Sequence, residues 1–126
     1  MAHAASQAMV SINGRDVLVE WTRAAAAELA RRPRPLIVEV ELYFSCLVKK
    51  FVLFHEQVGD REVAVVNNRL SVFFRPVMSP ACSIEAAELL GRQPEADIPG
   101  DAVKKIAPRR VRIDRRKNAW TGEAWF

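Results

Sequence analysis

Residues 36–44 read LIVEVELYF and residues 46–55 read CLVKKFVLFH, and these two stretches decide the fold. In the first stretch, apolar residues alternate with Glu39, Glu41 and Tyr43, which is the two-residue period of a half-buried β-strand. The second stretch is dominated by valine and phenylalanine, residues that favour strands. The sequence therefore predicts two consecutive strands joined by a tight turn.

Charge suggests the register of this predicted hairpin. A turn at Ser45 and Cys46 sets Glu41 opposite Lys50, and opposite charges that face each other across antiparallel strands stabilise the pairing. This register turns one row of the second strand toward the core, namely Leu47, Phe51 and Leu53. A helix over 46–58 is the alternative, because Ser45 is a good N-cap and apolar residues recur there at helical spacing.

A second hairpin is predicted farther along the chain. Residues 62–66 and 70–75 are strand-like and flank the polar sequence NNR at 67–69. Asparagine tolerates the left-handed conformations that a tight hairpin turn requires. Pro76 cannot donate a backbone hydrogen bond and is expected to end the strand region. Together the two hairpins predict an antiparallel meander of four strands over residues 36–76.

The N-terminal part of the chain predicts a hairpin followed by a helix. Residues 1–8 carry no pattern and are expected to form a disordered tail. Asn13 and Gly14 give a strong turn signal between two short strands. Thr22 is a good N-cap for an alanine-rich helix that runs to about Arg32, where prolines follow.

The C-terminal part predicts two short helices and one more strand. Residues 84–90 lie between a capping serine and a glycine, and residues 102–107 lie between an aspartate and a proline. Residues 109–115 alternate again, with Val111 and Ile113 on one side and charged residues on the other. We expect this strand at a sheet edge, where charges discourage aggregation.

The predicted fold class is α+β, with one two-layer domain over residues 1–126. An antiparallel sheet of four to six strands carries two or three short helices on one face. A chain of 126 residues can bury roughly two thirds of its unfolded surface without a metal or disulfide. Half of the residues are apolar and 27% are charged, as in soluble globular proteins. There is no apolar run of membrane-spanning length and no secretory signal, so we expect a cytoplasmic protein without membrane contact.

The charge is concentrated near the C-terminus. Residues 104–117, called the basic segment here, contain eight basic residues and one acid and so carry +7, which leaves −3 for the rest of a chain whose net charge is +4. Such a segment can bind phosphates while an aromatic residue stacks on an unpaired base, which predicts RNA or single-stranded DNA as one partner. The candidate contacts are Lys104, Lys105, Arg109, Arg110, Arg112, Arg115, Arg116, Lys117 and Trp120. The alternative is an internal match between this segment and the acidic body.

The preferred functional hypothesis is a non-enzymatic protein-interaction or self-association domain. In the predicted register, part of the first hairpin's second face is apolar, and the last residues of the chain add aromatic surface. Aromatic side chains beside arginines are typical of interface hot spots. The candidate interface residues are Tyr43, Val48, Val52, Trp125 and Phe126.

Residues that carry catalytic or metal chemistry are sparse. Cys46 and Cys82 are the two thiols, and a thiol-dependent activity at either is the third hypothesis. There is no zinc-ligand spacing, no phosphate-binding glycine loop and no serine nucleophile motif. His55 is too far from Cys46 along the predicted strand to activate it. Glu39 and Glu41 share a strand face, but paired acids there are usually solvated. We therefore predict no catalytic residue, cofactor or metal.

Overall fold

The computed structural model describes residues 4–44, 48–78, 96–97 and 106–126. In these ranges the chain forms nine strands and one helix, given next in chain order. They are β1 (Ala4–Ile12), β2 (Arg15–Thr22), α1 (Arg23–Arg31), β3 (Leu36–Phe44), β4 (Val48–His55), β5 (Ala64–Asn67), β6 (Leu70–Met78), β7 (Ala96–Asp97), β8 (Arg110–Arg116) and β9 (Ala119–Trp125).

The strands form two mixed sheets with the same arrangement of strands. Sheet A has the order β1-β2-β8-β9 and sheet B the order β4-β3-β6-β5, with β7 beside β6. Each sheet consists of two antiparallel hairpins whose inner strands pair in parallel, β2 with β8 and β3 with β6. Strands that are distant in sequence therefore form the middle of both sheets.

The core lies between the two sheets. Val17 and Val19 from sheet A and Val38 and Val40 from sheet B are fully buried in one apolar cluster. The edge strand β9 contacts β4, and β1 contacts β5. Each sheet therefore meets the other along both sides, and these contacts cover edges that would otherwise invite pairing with another chain.

The turn and the helix cap predicted near the N-terminus are present in the structure. Asn13 and Gly14 both have positive φ, 53° and 77°, and form the turn between β1 and β2. The Thr22 side chain caps α1 by accepting a hydrogen bond from the Ala25 backbone N–H at 3.2 Å. Ala25 and Leu29 face the core. This hairpin and this helix are confirmed, and β1 extends back to Ala4 into the segment expected to be a tail.

The predicted fold class is wrong. The described residues contain one helix and two mixed sheets, whereas we expected one antiparallel sheet under two or three helices. The second hairpin forms with its turn at 68–69, but β6 pairs in parallel with β3 and does not continue a meander. It also runs through Pro76 to Met78. The predicted helix at 84–90 and most of that at 102–107 lie outside the described residues.

The C-terminal strand was predicted correctly as a strand but in the wrong place. β8 covers Arg110–Arg116, with Val111 and Ile113 fully buried. It lies between β2 and β9 and is not an edge strand, because the last residues form the neighbouring strand β9. The turn between β8 and β9 uses positive φ at Lys117 and Asn118.

The register of the β3–β4 hairpin differs by one residue from the prediction. Phe44 pairs with Val48, so three residues separate the strands, and Glu41 faces Phe51 where we expected Lys50. A shift of one residue turns every side chain of a strand to the opposite face. Val52 and Phe54 consequently pack against the core, and Phe51 and Leu53 point outward. The strand prediction for this segment is confirmed, and the helical alternative is wrong.

Contacts with β9 explain this register. The Cβ of an alanine at Gly122 would lie 2.6 Å from Val52 Cγ1, so β9 approaches β4 closely at this point. Next to it, Phe54 stacks on Trp120 with ring centroids 6.0 Å apart. The Lys50 ammonium donates a hydrogen bond to the Ala124 carbonyl at 3.0 Å. These three contacts define the seam between β4 and β9, and they require Lys50, Val52 and Phe54 to share one face.

A methyl group at Gly122 should destabilise the protein. We expect Gly122→Ala to lower the free energy of unfolding by about 1 to 3 kcal/mol, because the methyl would overlap Val52. Denaturant unfolding followed by tryptophan fluorescence measures the change. Thr121→Ala, an exposed neighbour on the opposite face of β9, is the control and should change it by less than about 0.5 kcal/mol. Equal effects of the two variants would contradict the close approach of the strands.

Candidate functional site

The outer face of sheet A contains an open groove of about 620 Å³ along β8 and β9. Alternate residues of a strand share a face, so this groove collects the outward side chains of both strands. Its lining residues are Arg110, Arg112, Asp114, Arg116, Thr121, Gly122, Glu123 and Trp125. The groove therefore combines three arginines and one tryptophan from the sequence-predicted candidates.

Acidic residues balance the arginines of this groove. Arg110 pairs with Glu20 on β2, and its guanidinium lies 4.7 Å from the centre of the Trp125 ring. Arg116 Nε lies 2.7 Å from Asp114 Oδ2. Glu123 on β9 lies directly opposite Arg112 on β8. Each of the three arginines thus has a carboxylate nearby, which reduces the positive potential that the sequence suggested for this face.

Asp114 is the best-connected carboxylate of this face. Its Oδ1 accepts hydrogen bonds from the Thr22 hydroxyl at 2.6 Å and from the Arg115 backbone N–H at 2.8 Å. Its Oδ2 accepts the bond from Arg116. The Thr22 hydrogen bond, and then the bonds from Arg116 and Arg115, lower the pKa of Asp114 below its usual 3.8, although burial acts in the opposite direction. Because Thr22 also caps α1, this carboxylate links the helix to sheet A.

The remaining basic candidates lie elsewhere. Arg115 points to the other face of β8, where its guanidinium lies 5.0 Å from the Trp120 ring centre and 4.0 Å from Glu28. Trp120 stacks on Phe54 at the seam and is not part of the groove. Arg109 and Lys117 are exposed near the two ends of β8. Lys104 and Lys105 lie outside the described residues. The basic segment therefore does not form one continuous phosphate-binding surface within the described chain.

The outer face of sheet B carries apolar side chains among charged and polar ones, and some of its apolar side chains are exposed. Tyr43, Phe73 and Val77 are buried there even though they point away from the core between the sheets. On the neighbouring strand β4, Phe51 is 42% exposed and Leu53 is 39% exposed. These two apolar side chains form a small contiguous patch, and contiguous exposed apolar patches can mark an interaction surface when they extend further.

A buried carboxylate lies beside this exposed patch. Glu39 Oε1 lies 2.8 Å from His55 Nε2, and the glutamate side chain is only 7% exposed. Its other oxygen, Oε2, is buried and has no hydrogen-bond partner among the described residues. The His55 ring stacks on Phe73 with centroids 6.2 Å apart. The pair holds the imidazole in a fixed orientation at the end of β4. Glu41 is also buried on this face, so the expectation of solvated acids is wrong for both carboxylates.

The predicted interface residues do not form one surface. Tyr43 is buried on the outer face of sheet B, whereas Val52 points to the opposite face at the seam. Val48 is 62% exposed at the start of β4. Trp125 lines the groove on sheet A, and the ring of Phe126 packs on that of Phe74 with centroids 5.5 Å apart. The shift in the register of β4 separates Tyr43 from Val48 and Val52, and a role of these residues in an interface stays a prediction.

The other sequence candidates gain no partners in the part of the chain that the structure describes. Cys46 and Cys82 lie outside it, so the thiol hypothesis stays a prediction. Among residues 4–44, 48–78, 96–97 and 106–126, no three side chains of His, Cys, Asp or Glu converge as metal ligands would. The same ranges contain no helix that is long and apolar enough to cross a membrane.

Comparison with known proteins returns no relative. No protein-family model, curated protein sequence or solved structure matches the chain.

Phe51 and Leu53 are the residues that sequence reasoning missed. The run FVLF at 51–54 offers apolar side chains to both faces of its strand, so the two-residue period cannot tell which pair is buried. One signal was present in the sequence. Gly122, located between Trp120 and Ala124 on one face of the last strand, indicates a position where another strand approaches closely.

The pH dependence of the free energy of unfolding should reveal the contribution of Asp114 to stability. A carboxyl group whose pKa is lower in the folded protein contributes stability above its unfolded pKa, and this contribution disappears as the pH falls through the folded pKa. Asp114→Asn should therefore lower the free energy of unfolding by about 1 to 3 kcal/mol at pH 7 and reduce its decline below pH ~4. Denaturant unfolding at several pH values tests this. Asp16→Asn, an exposed carboxyl group of the same sheet, is the control. An unchanged acid dependence in Asp114→Asn would contradict the assigned hydrogen bonds.

Proposed function

We propose that this protein is a non-enzymatic interaction domain that binds another protein through the outer face of β4. The outward row of β4, called the β4 row here, consists of Lys49, Phe51, Leu53 and His55. The observation that carries the proposal is the exposure of Phe51 and Leu53 at adjacent positions of this row.

The β4 row has the composition of an interface centre with a charged rim. Phe51 and Leu53 are two residues apart, so their Cα atoms are separated by about 7 Å. They lie beside Glu41 and Glu39, respectively, in the pairing with β3. The apolar pair has an exposed lysine at one end and a half-exposed histidine at the other. Aromatic and aliphatic anchors inside a polar rim are where binding energy usually concentrates.

Binding through a sheet face suits this fold better than strand addition at these sheet edges. A partner strand needs an open edge with unpaired backbone N–H and C=O groups. Here β4 is next to β9, and β5 is next to β1. At the first seam the Gly122 contact leaves little space for another chain. The outward side chains of β4 remain accessible, and so this row is the surface that we assign to binding.

Photo-crosslinking tests this assignment directly. With p-benzoylphenylalanine in place of Phe51, irradiation of cells from the source organism should give a covalent adduct with a protein. Val65 is the matched control position, because it is 67% exposed on the outer face of the same sheet but on β5. We expect at least fivefold more adduct from position 51 than from position 65. Equal yields, or no adduct from position 51, would contradict the proposal.

RNA or single-stranded DNA binding is the second proposal, and the groove on sheet A is its support. Arg112 and Arg116 lie on one face with Trp125, and the Arg116 side chain is 71% exposed. Two or three arginines can contact two or three phosphates, and an aromatic ring can stack on a base. The neighbouring carboxylates favour only weak binding, so this proposal ranks below protein binding.

Salt dependence tests the second proposal. We expect a labelled mixed-sequence RNA to bind only at low salt, with a slope of log affinity against log salt of about −1.4 to −2, because each phosphate contact contributes about −0.7. Fluorescence anisotropy provides the measurement. Arg112→Gln with Arg116→Gln should abolish binding, whereas Arg109→Gln with Lys117→Gln removes equal charge outside the groove and should weaken it less. Equal loss in both double variants would contradict a groove-specific site.

A further inference from the structure

We infer that the groove on sheet A selects guanine, so that its ligand is a guanine base with an attached phosphate. The inference rests on the second proposed function, because it states which base the RNA-binding groove selects. It depends on three features of the groove. These are the stacked pair of Trp125 and Arg110, the carboxylate of Glu123, and the spacing of Trp125 and Glu123 along β9.

Arg110 shows how the Trp125 ring is oriented. The two residues lie directly opposite each other on β8 and β9, and the Arg110 guanidinium lies over the ring, 4.7 Å from its centre. The ring therefore turns a face toward β8, and one of its edges points along β9. Unpaired bases stack on aromatic rings and on arginine guanidinium planes. A base that stacks on this pair lies parallel to the ring and also presents an edge along β9.

Glu123 is the acceptor that such an edge meets. It is the neighbouring outward residue of β9, two positions before Trp125, so the two Cα atoms are about 7 Å apart. Glu123 is exposed, and no hydrogen bond or ion pair engages its carboxylate among the described residues. The other carboxylate that lines the groove, Asp114, already accepts three hydrogen bonds. Glu123 is therefore the carboxylate that a ligand can engage.

A carboxylate at this position distinguishes guanine from the other bases. The Watson–Crick edge of guanine carries two adjacent N–H donors, on N1 and on the 2-amino group, and they match the two acceptor oxygens of a carboxylate. Adenine, cytosine and uracil each place an acceptor beside the donor on this edge, and that acceptor faces a negatively charged oxygen. A good bidentate contact to a base contributes about fivefold to 150-fold discrimination.

The mixed charge of the groove fits this ligand better than it fits a run of phosphates. Arg112 lies directly opposite Glu123, and farther along β8 the Arg116 side chain is 71% exposed. The Glu123 carboxylate repels phosphates, but the two donors of guanine require it. Arginines position a nucleic acid through its phosphates, whereas contacts to base edges select the sequence. The β8 row and the β9 row of the groove divide these two tasks.

Fluorescence anisotropy of four labelled RNA hexamers at low salt tests the inference on the full chain. The hexamers are UUGUUU, UUAUUU, UUUUUU and a variant of the first with inosine, which lacks the 2-amino group, in place of guanosine. We expect UUGUUU to bind at least fivefold more tightly than UUAUUU and UUUUUU, and the inosine hexamer to lie between them. Equal affinities for UUGUUU and UUAUUU would overturn the guanine inference and leave the RNA proposal in place. Absence of binding by all four hexamers would contradict both.

Substitution of Glu123 separates base recognition from general electrostatics. Glu123→Gln should bring the affinities for UUGUUU and UUAUUU to within twofold of each other. It should leave the affinity for UUAUUU equal or higher, because a negative charge is removed. Glu62→Gln removes the same charge at an exposed position outside the groove, and this control should keep the preference for guanine. A Glu123→Gln protein that binds both hexamers more tightly and keeps the preference would overturn the inference.

Competition with nucleotides distinguishes the two sources of the base. If GMP displaces labelled UUGUUU at the same concentration as unlabelled UUGUUU does, the site is assigned to a free guanine nucleotide. If GMP needs at least a tenfold higher concentration, the site is assigned to a single strand, because further phosphates then contribute to binding. AMP is the control and should displace the hexamer at least fivefold less effectively than GMP. Equal displacement by the two nucleotides would overturn guanine selection.

Discussion

The contact between β4 and β9 is the constraint on which the rest of the structure depends. Gly122 lets the two strands approach, and Val52 and Phe54 fill the space on the β4 side. Because side chains alternate along a strand, burial of these two residues forces Phe51 and Leu53 to the outer face. One long-range contact therefore closes a side of the core and also creates the exposed surface that we assign to binding.

Relative energies explain why this contact prevails over the charge pair that the sequence suggested. A cross-strand pair such as Glu41 with Lys50 contributes about 0.2 to 1 kcal/mol, and burial of one valine or phenylalanine side chain contributes about 1.5 to 3 kcal/mol. Either register buries two apolar residues of the FVLF run, so apolar burial within the hairpin does not by itself decide between the two registers. The seam adds the contact of Phe54 with the Trp120 ring and a hydrogen bond from Lys50. These two contacts favour the observed register.

Features encoded by neighbouring residues could be predicted from the sequence. The Asn13 and Gly14 turn, the Thr22 cap and the alternation of β8 depend on interactions within a few residues. The parallel pairings of β2 with β8 and of β3 with β6 could not be predicted, because they join strands far apart in the chain. The candidate site depended on the same information. The arginines of the basic segment were visible as charge, but Glu20, the carboxylate partner of Arg110, becomes its neighbour only when β2 and β8 pair.

The register of the β3–β4 hairpin is the most direct test, since both the seam and the exposed row follow from it. Cross-strand nuclear Overhauser effects between backbone protons, measured on the isotope-labelled full chain, report which residues face each other. The structure predicts contacts that join Glu41 with Phe51 and Val40 with Val52. Contacts that join Glu41 with Lys50 would contradict it, because they would return Phe51 and Leu53 to the core and leave the binding surface without its side chains.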